Sequence, residues 1–300
     1  MNIKDLQEKI IQKKSPVVVG LDPRLDRIPR NYKKDKSISE ALYNFNKDII
    51  DGVYDIAPAV KLQIAFYEKY GLEGLKAYVK SKKYAQSKKL FVIGDIKRGD
   101  IGSTSKAYSN GHLGHVMYGN EIIDDFEVDN VTVNPYLGED CIKEFIEDIK
   151  IYDKSIFVLV KTSNPSSKQI QDISKDGQTI YERVAKLVSD MNKEFTGTYG
   201  PIGAVVGATY PEEMVALRKQ MPKAYFLVPG YGAQGGKAED VVRAFNEDGL
   251  GAIVNSSRGI IFNYETLNTT VQEGARAAVL EMNKAINDAL SLAGKEYWSE

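Results

Sequence analysis

The sequence predicts an α/β fold, and within that class a (β/α)8 TIM barrel that occupies residues 1–300 as a single domain. Eight short apolar stretches, rich in Val and Ile, alternate with helical patterns, as in a parallel sheet covered on both faces. A length of 300 residues suits an undivided barrel. Six of the eight stretches end in polar or glycine-rich sequence, at the end where barrels place their active sites. The candidate strands are Val17–Leu21, Ala59–Gln63, Leu90–Asp95, Asn130–Asn134, Ile156–Lys161, Ile202–Ala208, Tyr225–Pro229 and Gly251–Asn255. Strand count alone leaves an open doubly wound sheet as the alternative.

Helices between these strands are predicted from apolar residues that recur every three or four positions. Ser37 and Glu40 form a capping-box pattern, and Thr270 and Glu273 form a second one before a closing helix. Two further helices are predicted after glycines 177 and 236. Their apolar positions are Ile180, Val184, Leu187 and Met191 in the first, and Ala238, Val241, Val242 and Phe245 in the second.

Composition excludes several classes of protein. The chain has 40 basic and 41 acidic residues, and this balance argues against a nucleic-acid-binding or membrane-surface protein. The one cysteine, Cys141, rules out an intramolecular disulfide and suits a reducing compartment. The first residues lack the apolar segment of a signal peptide, and no run approaches the ~20 apolar residues of a membrane span. We therefore expect a cytoplasmic protein that binds neither nucleic acid nor membrane.

The stretch 90–108 carries the strongest functional signal. An apolar run, Leu90–Ile93, precedes three charged residues, Asp95, Lys97 and Asp100. Side chains two apart on a strand share a face, so Asp95 and Lys97 are expected to lie together. Charges at the end of a buried strand need a partner or a ligand. An ordinary surface ion pair is the alternative, but the Gly-Ser-Thr loop that follows favours a site.

Glycine-rich sequence after the last two strands predicts a phosphate-binding end. Residues 229–236 contain four glycines and Gln234, and residues 255–259 contain Arg258. Glycine lets the backbone approach an anion closely, and the guanidinium fork matches phosphate oxygens. The same glycines match the spacing of a dinucleotide fingerprint, but Asn255 stands where that fingerprint needs an acidic residue. We reject a nicotinamide site on this ground.

Six segments together resemble the orotidine 5′-phosphate decarboxylase family, in the branch shared by many bacteria and malaria parasites. They are GLDPR, AVKLQIAFYEKYG, FVIGDIKRGDIGSTSKAY, VKTSNPSS, PGYGAQGG and NSSRG, and they extend from Gly20 to Gly259. The resemblance implies a homodimer of (β/α)8 barrels that needs no metal or organic cofactor. It also implies the release of CO₂ from orotidine 5′-phosphate to give UMP in pyrimidine biosynthesis.

The resemblance further implies a role for each matching residue. The catalytic array would be Lys61, Asp95 and Lys97, with Asp100 supplied by the partner subunit, and Lys97 would protonate C6. Asp22 and Lys61 would bind ribose hydroxyls, and Thr104 of the partner subunit would contact the ribose. The remaining substrate contacts would be Thr162, Ser163 and Gln63 near the pyrimidine, and Gln234, Arg258 and the Gly259 N–H at the phosphate.

Two other functions stay open from the sequence. A sugar-phosphate decarboxylase or aldolase of the same superfamily would share the Asp-x-Lys-x-x-Asp spacing but bind Mg²⁺ through a glutamate at the position of Lys61. A lysine there would repel the cation. A barrel that binds a nucleotide phosphate without catalysis is the second alternative, although every charged residue of the array is present.

Overall fold

The computed structural model of the chain describes residues 1–232 and 235–298. Within these residues, eight parallel strands close into a barrel, in the order first, eighth, seventh, sixth, fifth, fourth, third, second. Their bounds are Val17–Gly20, Ala59–Gln63, Phe91–Arg98, Asn130–Val133, Ser155–Lys161, Ile202–Val206, Phe226–Val228 and Ala252–Ser256. The predicted (β/α)8 barrel is confirmed, and the open sheet is excluded because the first strand pairs with the eighth as well as the second.

Helices cover the outside of the barrel, as the periodicity predicted. Their α-helical bounds are Ile3–Lys13, Arg30–Lys33, Ile38–Val53, Ala65–Glu68, Gly71–Ser87, Gly102–His112, Glu139–Tyr152, Ile180–Met191, Pro211–Gln220, Ala238–Val241, Arg258–Ile261, Asn263–Leu267 and Val271–Leu292. Short 3₁₀ turns occupy Pro165–Gln169, Asn192–Glu194 and Val242–Ala244. None of the described helices is long and apolar enough to cross a membrane.

Both predicted capping boxes are present. Ser37 accepts from the backbone of Glu40 while Glu40 accepts from the backbone of Ser37, and Thr270 and Glu273 do the same. The helix predicted after Gly236 is shorter than its apolar pattern suggests. It is α-helical only over Ala238–Val241, and the chain becomes extended at Phe245. Phe245 is nevertheless buried, so the pattern identified the packed face correctly.

Two antiparallel ribbons lie outside the barrel and were not predicted. One pairs Val116–Tyr118 with Glu121–Ile123, and the other pairs Ser174–Lys175 with Gln178–Thr179. In the second, Asp176 and Gly177 both adopt positive φ angles, 56° and 76°, as a tight hairpin turn requires. Asp-Gly is a strong hairpin signal, but strands of two residues leave no alternating pattern beside it.

Candidate active site

The third barrel strand carries a bulge at its C-terminal end. Gly94 pairs with Val131 and Arg98 pairs with Val133, so the three residues from Asp95 to Lys97 lie opposite the single residue Thr132. Lys97 has a φ of 48°, in the left-handed region, which costs an L-residue about 1 kcal/mol. Regular strand alternation therefore does not apply here, although it led to the right expectation that Asp95 and Lys97 lie together.

Asp95 lies between two ammonium groups. Its Oδ2 accepts from Lys61 Nζ at 2.7 Å, and its Oδ1 accepts from Lys97 Nζ at 2.5 Å. The Lys61 and Asp95 side chains are buried, whereas the Lys97 side chain is 44% exposed. Lys97 thus keeps one side open toward any molecule that enters the barrel mouth. The predicted clustering of these three residues is confirmed.

The charges in this array stabilise one another. Burial raises the pKa of Asp95, but Lys61 and Lys97 outweigh burial and hold that pKa well below its ordinary value. Burial lowers the pKa of Lys61, yet the carboxylates of Asp95 and Asp22 leave it above its ordinary value. At neutral pH the site therefore holds a carboxylate between two ammonium groups.

Two buried oxygens near the array lack hydrogen-bond partners among the described residues. They are Oδ1 of Asp22 and Oδ1 of Asn255. Both residues line a cavity of about 180 Å³, which Arg24 and Arg258 also line. Buried acceptors without partners are costly unless a ligand supplies donors. This cavity thus offers acceptors for hydroxyl groups beside guanidinium groups for an anion.

The predicted phosphate end lies at the same cavity. Gly230 and Gly232 adopt φ angles of 99° and 66°, and the Gly232 N–H donates to the Gly236 carbonyl at 2.9 Å. These conformations need glycine and bring the loop back on itself beside the cavity. Arg258 and Gly259 are both exposed. Gln234 lies outside the described residues.

The loop after the fifth strand is held by side-chain hydrogen bonds. The Thr162 hydroxyl accepts from Gln171 and donates to Asn164, both at 2.7 Å, and the Thr162 N–H donates to Gln171. Thr162 lines a separate, larger cavity of about 500 Å³. Ser163 lies against Gly207, where a Cβ atom would come within 2.9 Å of Ser163. The absence of a side chain at Gly207 therefore lets the two loops meet.

The predicted residues Gln63, Asp100 and Thr104 are less closely connected to the array. Gln63 ends the second strand, and its side-chain oxygen accepts from the Ala65 N–H at 3.1 Å. Asp100 accepts from the Ile101 N–H at 2.8 Å, and among the described residues it forms no ion pair with Lys61 or Lys97. Thr104 lies exposed on the helix Gly102–His112. Among the described residues of one chain, no recorded hydrogen bond or ion pair joins Asp100 or Thr104 to the array.

Three residues at the site were missed from the sequence. Thr132 hydrogen-bonds to both Asp95 and Lys97, and Arg24 and Asn255 line the 180 Å³ cavity. Thr132 interrupts an apolar run near the C-terminal end of its strand, a signal that could have identified it. Arg24 and Asn255 lay within the segments compared with the family, but neither received a role.

The described part of the chain contains no group of three or more His, Cys, Asp and Glu side chains placed to hold a metal ion. The ligands that such an ion requires are carboxylates, imidazoles or thiolates. At the array, two of the three charged groups are lysines. The residues present therefore match an anionic ligand better than a cation.

Comparisons with known proteins agree on one family. Residues 15–270 match the family described as "Orotidine 5'-phosphate decarboxylase / HUMPS family". The chain is 43% identical over 296 residues to the orotidine 5′-phosphate decarboxylase of Rhodopirellula baltica, covering 94% of this chain and 97% of that protein. It is 43% identical over 289 residues to the Clostridium tetani protein of the same name, with the same coverage. The solved structure of Leishmania donovani OMP decarboxylase superposes with a TM-score of 0.76 at 30% identity, covering 96% of this chain and 99% of that one.

Proposed function

The chain belongs to the orotidine 5′-phosphate decarboxylase / HUMPS family, and we propose that Lys61, Asp95 and Lys97 carry its catalysis. The reaction is the decarboxylation of orotidine 5′-phosphate to UMP and CO₂, in pyrimidine biosynthesis. The observation that supports this assignment best is the Lys61–Asp95–Lys97 array, a buried carboxylate between two ammonium groups. The Lys61 ammonium is buried, and the Lys97 ammonium faces the barrel mouth.

Lys97 is the proton donor in this proposal. Loss of CO₂ breaks the bond between C6 and the carboxylate carbon and leaves the electron pair on C6. An ammonium group aimed at C6 stabilises that pair and then transfers a proton to it, which gives UMP. Lys97 is the most exposed side chain of the array, at 44%, so its ammonium group is accessible to a bound ligand. The ion pair with Asp95 holds the Lys97 side chain in place before the reaction.

Asp95 and Lys61 form the fixed part of the array. Asp95 would lie against the substrate carboxylate, where repulsion favours the departure of CO₂. Lys61 is buried and bonded to Asp95, so it holds that carboxylate in one orientation and keeps it ionised. A buried ammonium at this position also disfavours a divalent cation. We therefore propose that the reaction needs no metal and, as the family resemblance implies, no organic cofactor.

The ribose and phosphate of the substrate fit the 180 Å³ cavity and the loops around it. The unpartnered oxygen of Asp22 can accept from a ribose hydroxyl. Lys61, which interacts electrostatically with Asp22, is the proposed donor to a ribose hydroxyl. Gln234, Arg258 and the Gly259 N–H are the proposed phosphate contacts, at the glycine-rich end. Binding energy from the phosphate, far from C6, would contribute to orientation of the reacting group.

The pyrimidine would lie between the array and the ends of the second and fifth strands, near Gln63, Thr162 and Ser163. The Thr162 hydroxyl already bonds to Gln171 and Asn164. Thr162 therefore also holds the loop, and both Thr162 and Ser163 are proposed contacts of the pyrimidine edge. Gln63 remains the proposed neighbour of the ring on the opposite side.

A homodimer would complete the site. The Asp100 carboxylate accepts from the Ile101 N–H, among the described residues it forms no ion pair with Lys61 or Lys97, and Thr104 is exposed nearby. Large apolar side chains on the adjoining loops are exposed: Ile101 by 58%, Leu137 by 50% and Tyr136 by 81%. Burying this surface against a second copy would be favourable and would bring Asp100 and Thr104 to the partner's array. We also propose that the chain forms one domain, since its hydrophobic core extends from Ile3 to Tyr297, and that it acts in the cytoplasm.

Replacing Lys97 tests the proposed mechanism. Lys97→Ala should abolish turnover of orotidine 5′-phosphate, while UMP binding measured by calorimetry survives. Lys76→Ala is the matched control, because Lys76 is an exposed lysine paired with Glu73 on a helix. It should leave turnover unchanged. Retained activity in the Lys97→Ala protein, free of any contaminating enzyme, would refute the role of Lys97.

A further inference from the structure

Thr132 makes two hydrogen bonds that converge on the bulge of the third strand. Its hydroxyl accepts from the Lys97 N–H at 2.9 Å and donates to Asp95 Oδ1 at 2.9 Å. Thr132 is buried and lies between Val131 and Val133 in the sequence of the fourth strand. A hydroxyl has one hydrogen to donate. The Thr132 hydroxyl donates it to Asp95 and accepts from the Lys97 N–H through a lone pair. One side chain thus contacts both residues at the centre of the array.

The two hydrogen bonds of Thr132 fix the Lys97 backbone N–H and the Asp95 carboxylate, which regular strand pairing does not hold. In the bulge, the Lys97 N–H donates to the Thr132 side chain, and Lys97 adopts its left-handed φ of 48°. Such a conformation persists only where its surroundings fix it. The second contact adds to the two lysines that bond to Asp95, so that three donors fix the rotation of its carboxylate.

We propose that Thr132 is a positioning residue for the decarboxylation, fixing the Asp95 carboxylate and the Lys97 backbone so that the Lys97 ammonium is aimed at the reacting carbon. This inference rests on the function proposed above for Asp95 and Lys97. Thr132 itself is not assigned a contact with the substrate. Replacing Thr132 should therefore slow the chemical step without weakening nucleotide binding.

The test compares Thr132→Val with Thr132→Ser. Valine keeps the branched shape and removes both hydrogen bonds, whereas serine keeps the hydroxyl. We expect Thr132→Val to lower kcat by roughly 10- to 100-fold, the scale seen when a catalytic group is displaced by a fraction of an ångström to an ångström. KM and the UMP dissociation constant should change by less than about threefold. Thr132→Ser should recover most of the lost kcat.

A second readout does not depend on turnover. Amide hydrogen exchange at Lys97 should become faster in Thr132→Val and stay slow in Thr132→Ser, because among the described residues the Thr132 hydroxyl is the acceptor of that N–H. Ser81→Ala serves as the control for losing a buried hydroxyl elsewhere. Ser81 lies on the helix Gly71–Ser87 and accepts from Asn46 at 2.9 Å, so its loss should leave kcat unchanged.

The outcomes separate this inference from the proposed function. If the unaltered protein turns over substrate but Thr132→Val keeps its full kcat, the positioning role is wrong and the function stands. A Thr132→Ser protein as impaired as Thr132→Val, or equal losses in kcat and UMP affinity, would also overturn the inference, since either indicates a general packing role. Failure of the unaltered protein to turn over substrate would instead refute the function.

Discussion

The buried Lys61–Asp95 pair should contribute to catalysis while making the folded state sensitive to the loss of either partner. The two side chains are only 6% and 9% exposed, and Lys61 is the one donor recorded at Asp95 Oδ2 within the described residues. Lys61→Met removes that donor and leaves Oδ2 buried. Breaking a buried pair typically costs 3–5 kcal/mol, and because Lys97 and Thr132 still contact Oδ1, we expect about 3 kcal/mol. Asp95→Leu should cost about as much, since it leaves the Lys61 ammonium buried.

Replacing both partners should be much less costly than the two single changes together. The double variant Lys61→Met/Asp95→Leu leaves neither a buried carboxylate nor a buried ammonium, so we expect it within about 2 kcal/mol of the unaltered protein. All three variants should lack turnover. The pair would then be present for chemistry and not for stability.

Urea unfolding followed by fluorescence, at one protein concentration and pH 7, measures these free energies. The control is the exposed ion pair of Glu73 and Lys76, in which Lys76 Nζ lies 2.8 Å from Glu73 Oε1. Removing either of those side chains should hardly change the urea concentration at the midpoint of unfolding. Single changes at Lys61 or Asp95 that cost under about 1 kcal/mol, or a double variant as unstable as the sum, would refute the reasoning.

Three further predictions follow from the site and its surroundings. Mixing inactive Asp100→Ala and Lys97→Ala subunits should restore part of the activity, and no recovery in proven heterodimers would contradict a shared site. Arg258→Ala should lower kcat/KM by roughly 10- to 100-fold through loss of a charged hydrogen bond to phosphate, with little effect on the unfolding midpoint. Burial first, and then the charge of Arg98, lower the pKa of His112 to about 4. The unfolded state therefore binds more protons below about pH 6.5, and stability should fall by up to about 3 kcal/mol between pH 6.5 and 4. His112→Leu should remove this component of the pH dependence, and an unchanged slope would contradict it.

The barrel could be predicted because its strands are mostly apolar. The eight stretches consist mainly of Val, Ile and similar residues that are buried in the structure, so composition marks them. The ribbon Val116–Ile123 could not be predicted in this way. Its apolar side chains are exposed, among them Tyr118 at 75%, so no buried face imposes an alternating pattern.

The charged array was predictable for a different reason. Charges directly after a buried strand need compensation, and Asp95 and Lys97 provide it for each other. The bulge that orients Lys97 could not be recognised in the sequence, because the residue with a positive φ is a lysine and not a glycine. The role of Thr132 depends on the bulge, since the residue meets Asp95 and Lys97 only when three residues of one strand oppose one of the next. The contributions of Asp100 and Thr104 depend on a second chain, and they stay predictions.

The proposed decarboxylation can be tested through the ultraviolet absorbance of orotidine 5′-phosphate mixed with the purified protein and excess chelator. We expect a rapid catalytic loss of the orotate chromophore with UMP as the product. An unchanged spectrum, in a preparation that still binds UMP tightly, would contradict it. The chain would then be a phosphate-binding barrel whose array does not catalyse this decarboxylation.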